Sequence, residues 1–76
     1  MKLSTYQSSS IPGMFVTLPS AEASATIGIV DQLARLELSI VRQGYELPAF
    51  DPSPISGRVM AEIAQTGYAM HGVALP

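Results

Sequence analysis

The stretch from Ser20 to Gly44 constrains this chain more than any other. Wound as a helix at about 100° per residue, it places Ser24, Gly28, Asp31, Gln32, Arg35, Ser39, Arg42 and Gln43 on one arc. The remaining arc, roughly 220° wide, carries Ala23, Ile27, Ile29, Val30, Leu33, Ala34, Leu36, Leu38, Ile40 and Val41. A helix resting on one core needs an apolar stripe of only about 100°. The pattern therefore predicts a long helix, about 20–43, covered on two sides by its own chain or by another. Ser20 is placed to cap it, Glu22 and Arg42 suit the two ends of its dipole, and Gly44 suits its C-terminal stop. Leu33, Leu36 and Ile40 are expected in the core.

On either side of this stretch the signals are shorter. Residues 2–7 alternate weakly, Pro12-Gly13 marks a turn, and Met14–Leu18 is rich in β-branched and aromatic side chains before Pro19. These segments predict a hairpin with a loop over 8–13, or an extended arm over 1–19. Residues 45–53 hold Pro48 and Pro52 and read as a connector up to Pro54, with Asp51 or Ser53 as the cap of the next element. A second helix is expected over 54–66, stopped by Gly67. Its apolar face is Ile55, Val59, Met60, Ile63 and Ala64; its polar face is Arg58, Glu62 and Gln65. Residues 68–76 close the chain as a strand expected to pair with Met14–Leu18. The predicted architecture is a single α+β domain: two helices on a short sheet of N-terminal extended segments and a C-terminal strand. The alternative is a mainly helical hairpin with extended arms.

Composition narrows the function. With 47% hydrophobic and 13% charged residues in 76, the chain is built to bury surface, not to stay disordered. A net charge of −2 and four scattered basic residues, Lys2, Arg35, Arg42 and Arg58, argue against nucleic acid as a partner. Without cysteine there are no disulfides or thiolate metal sites, and one histidine cannot by itself build a histidine-rich one. No metal or cofactor is expected. The apolar runs fall far short of the ~20 residues of a membrane span. Lys2, Ile11–Leu18 and Ala23-Ser24-Ala25 loosely imitate a secretory leader, but Pro12, Gly13 and Thr17 interrupt it, so a cytoplasmic setting is expected.

Two titratable residues are candidates for chemistry. Glu37 interrupts the apolar arc, and a carboxylate there must find a partner or be neutralised. The expected role is a structural partner for Arg58, Lys2 or His71, or a contact across an interface, ahead of general acid–base work. His71 has no partner motif and is expected to face solvent or bond backbone. The serines at 8–10 lack a nucleophile-elbow pattern, so no catalytic set is assigned.

What remains is surface. Ile27, Ala34, Leu38 and Val41, on the flank of the long helix that one small core leaves uncovered, are the expected interface residues, together with Glu37 and Tyr45. The chain is accordingly expected to be a non-enzymatic interaction module, an inhibitor, adaptor or regulator of a larger protein machine. It would bind another protein, itself, or both. The alternative is a small structural subunit whose terminal arms add strands to neighbours.

Overall fold

The computed structural model describes residues 2–46 and 54–72. It is a small α+β domain with a four-stranded antiparallel sheet. In chain order the elements are β1 (Leu3–Ser8), β2 (Phe15–Pro19), a short 3₁₀ turn (Ser20–Glu22), α1 (Ala23–Ile29), α2 (Asp31–Arg35), β3 (Leu38–Tyr45), α3 (Pro54–Thr66) and β4 (Ala69–His71). The strand order is β3-β1-β2-β4, so the N-terminal hairpin forms the centre and later strands are added outside it.

The hairpin pairs Leu3 with Pro19, Thr5 with Thr17 and Gln7 with Phe15. Ser8 secures its turn end. The Ser8 amide donates to the Met14 carbonyl at 3.0 Å, while its hydroxyl accepts the Ile11 amide at 3.0 Å and donates to the Leu36 carbonyl at 2.8 Å. β4 joins the other side of β2, setting Phe15 against His71 and Thr17 against Ala69. The expected pairing of the C-terminal strand with the Met14–Leu18 segment is present.

Because side chains alternate across a strand, both faces of the central hairpin carry a core. On one face Val16 and Leu18 pack with Ala23, Leu33 and Leu36 from the α1–α2 side, joined by Tyr6, Ile27, Val30, Leu38, Tyr68 and Met70. On the other, Leu3 and Ala69 pack with Val59 and Ile63 of α3, joined by Tyr45 and Ile55. The sheet is the middle of three layers. That explains why so short a chain buries apolar residues on both helical layers and on three of its strands: two thin cores share one pair of strands. α3 matches its expected span, and Gly67 ends it with φ +90°, its amide donating to the Ile63 carbonyl at 2.8 Å.

The long helix over 20–43 does not form. A 3₁₀ turn and two short helices occupy 20–35, and residues 38–45 are strand. Two local features account for this. Thr26, Ile27, Ile29 and Val30 are β-branched around Gly28, a poor helical run, and Val30 turns extended with φ −95° and ψ 108°. Asp31 then begins α2, whose C-terminal side holds Arg35, as the helix dipole favours. Glu37 takes φ +50°, a left-handed conformation that no helix continues through. The roughly 220° arc is the sum of a helical period up to Leu36 and a strand after it. Leu33 and Leu36 are buried as expected, but Ile40 is 50% exposed and not core. On α3, Val59 and Ile63 are buried, whereas Met60 and Ala64 are exposed. Nor is 1–19 an arm, since residues 3–8 and 15–19 are the middle of the sheet. The connector 47–53, with its Asp51 or Ser53 cap, and residues 73–76 lie outside the described residues.

Candidate functional site

The expected interface residues do not share a surface. Ile27 and Leu38 are half-buried against the first core, and Ala34 is exposed on α2. Glu37 is exposed on the turn between α2 and β3, which overturns the expectation of a carboxylate in apolar surroundings. Its carbonyl, with that of Leu36, receives the Ser9 amide at 3.3 Å and 3.2 Å respectively. Val41 and Tyr45 both lie on β3.

β3 is the most exposed ordered element among those described. It borders β1 on one side and forms one edge of the sheet. Ser39 to Gly44 are all exposed, including Ile40 at 50% and Val41 at 55%. Arg42 is its only charged residue. Its pairing with β1 is regular from Leu38 to Ile40, opposite Ser8, Gln7 and Tyr6. Beyond that the register shifts twice, placing Arg42 opposite Thr5 and Tyr45 opposite Leu3. Each shift inserts an extra residue into β3, and Gly44, at φ +67°, occupies the second. Bulges and a charge are the usual means of blunting an exposed edge. Here they leave the first half of β3 unguarded.

A second arrangement crosses the sheet on the α3 side. Thr5 Oγ1 hydrogen-bonds both Thr17 Oγ1, at 2.9 Å, and the Tyr45 hydroxyl. Thr17 Oγ1 bonds His71 Nε2 at 2.7 Å. The row Tyr45–Thr5–Thr17–His71 thus takes one member from each strand. Thr5, Thr17 and His71 are buried. At one end His71 stacks on Phe15, with ring centres 5.9 Å apart and planes 15° from parallel. At the other the Arg42 guanidinium carbon lies 4.2 Å from the centre of the Tyr45 ring. His71 is therefore buried and bonded to a side chain, which overturns the solvent-facing alternative of the two expected for it.

Among the described residues, no buried side-chain nitrogen or oxygen lacks a hydrogen-bond partner. No three His, Asp or Glu side chains among them converge to hold a metal ion. No helix among them is long and apolar enough to cross a membrane. No family model, curated protein or solved structure matches the chain.

Proposed function

We propose that this chain is a small non-enzymatic protein-binding module, an adaptor or inhibitor, that docks through β3. One observation carries the reading: Ile40 and Val41 stand about half exposed on an edge strand whose pairing is regular from Leu38 to Ile40. An added strand gains main-chain hydrogen bonds there, and the two β-branched side chains offer apolar contact. The bulges beyond Ile40 limit how far a partner can pair, which favours a short, discrete contact over open-ended stacking. The docking element is thus a strand, in place of the helix flank that the apolar arc predicts. A cytoplasmic setting goes with it, since the apolar run that imitates a leader is interrupted by Gly13 and ends in the buried positions of β2.

A photo-crosslinking residue at position 40, with a second at the exposed Ala64 of α3 as control, tests this in the source organism. The expected result is one discrete product from position 40, absent from position 64, with either another protein or a second copy. Ile40→Lys should abolish the partner association while changing folding stability by less than about 1 kcal/mol. Identical product patterns from the two positions would refute the assignment.

A further inference from the structure

We propose that the strand taken up by β3 is the β3 of a second copy of this chain, run antiparallel about a two-fold axis at Ser39. The proposal rests on the reading of β3 as the docking edge and names its occupant. The pairing of the central hairpin decides which backbone groups of β3 are open. Ser8 donates its amide to Met14 on the β2 side, and Ser9 donates its own to Leu36 and Glu37 on the β3 side. Main-chain groups alternate in direction along an antiparallel strand, so the even residues of β1 bond β2 and the odd ones bond β3. Ser39, opposite Gln7, therefore turns its amide and carbonyl toward β1, while Leu38 and Ile40 turn theirs out of the sheet. Two such strands, laid antiparallel, set Leu38 against Ile40 of the second copy on one face, twice by symmetry, and Ser39 against Ser39 on the other. Each outward donor then meets an acceptor, and both cross-strand pairs on the first face are apolar. The same register brings Arg42 beside Glu37 of the second copy, both exposed, so the one cation of the strand approaches a carboxylate. An in-register parallel pairing sets Arg42 against Arg42 instead. The edge is thus self-complementary, as a two-fold interface requires.

The other edge of the sheet limits the assembly to two. Ala69 and His71 pair with Thr17 and Phe15, so the outward amide of β4 belongs to Met70. That amide donates to Glu62 Oε2 of α3 at 3.2 Å. A carboxylate thus stands where an incoming strand would place its carbonyl, and β3 is left as the edge that pairs. Another protein reaches β3 only in competition with the second copy.

Sedimentation equilibrium of the purified chain should show a monomer–dimer equilibrium, rising to twice the mass of the 8.0 kDa chain and no further. Ile40→Lys should raise the dissociation constant about tenfold or more, since the substitution acts twice in each dimer. The register has its own test. The chain has no cysteine, so Ser39→Cys introduces a single thiol on an exposed residue at the two-fold axis. Residues facing each other there have Cα atoms about 4.5 Å apart, within the span of a disulfide. Under mild oxidation Ser39→Cys should cross-link to itself much faster than Ala64→Cys, exposed on α3. A chain that stays monomeric throughout, a mass that climbs past two, or a dimer in which both cysteines cross-link equally overturns the proposal. A monomer whose position 40 still cross-links to another protein removes the second copy and leaves β3 as the docking edge.

Discussion

Leu33→Ala should remove a large share of the stability of this domain. Leu33 is fully buried in the core formed by β1–β2 with α1 and α2, where it packs with Val16, Leu18, Ala23 and Leu36. Truncating a buried leucine costs roughly 2–5 kcal/mol, the transfer term plus the cavity left behind. At about 0.05–0.15 kcal/mol per residue, a chain of 76 residues holds only some 4–11 kcal/mol in total. A five-residue helix has little of its own to keep α2 in place once that contact is gone. Ile40→Ala is the comparison, because a helical period through 20–43 gives the two residues the same standing. On β3, half exposed, Ile40 should lose under about 1 kcal/mol. Urea melts of both variants separate helix from strand at this position. Equal losses would return Ile40 to the core and remove β3 from the edge.

Thr17→Val is expected to cost about 1–3 kcal/mol, although valine has nearly the same shape. Thr17 is fully buried, and its hydroxyl bonds both Thr5 and His71. Valine takes away the hydroxyl and leaves those two groups without it in a site sealed from water. Thr5→Val combined with Thr17→Val should cost less than the sum of the two single changes, because the second substitution removes one of the groups the first stranded. Chemical denaturation of the three variants measures the coupling. Simple additivity would mean that the two hydroxyls act independently.

The legible parts of the sequence are those where one physical signal dominates. Proline starts α3, Gly67 ends it in a left-handed conformation, and the period between them is helical throughout. The hairpin is readable from Pro12-Gly13 and the β-branched run before Pro19, but its register is not. Strands ending at residues 7 and 14 would set Thr5 against Val16, whereas the observed partner is Thr17. A slip of one residue sends a side chain to the other face, and it hides the hydroxyl row completely. The stretch 20–44 misleads because Ile40 and Val41 are as apolar as helix-core residues. The period alone cannot separate a strand that succeeds a helix from a longer helix. Two signals are present nonetheless. The arc is too wide for one helix on one core, and Leu38 to Val41 includes two adjacent β-branched residues. His71 gives no such signal, since its burial depends on Phe15 and Thr17, residues far away in sequence that β4 reaches only by pairing with β2.

The strand order has a consequence for how the chain assembles. Contacts within the central hairpin close over short separations, as between Thr5 and Thr17 at 12 residues; Thr5 and Tyr45 of β3 are 40 residues apart, and Thr17 and His71 of β4 are 54 apart. Closing the longest of these costs about 1.3 kcal/mol more in chain entropy than the shortest. The sheet is therefore built outward from its middle, and a ribosome releases its parts in the same order. Pulse-labelled hydrogen exchange should find β1–β2 amides protected before those of β4. Until β4 arrives, the outer side of β2 is a free template for any strand nearby, and half-made sheets are most prone to mispairing in that interval. Three residues, Ala69 to His71, are all that end it.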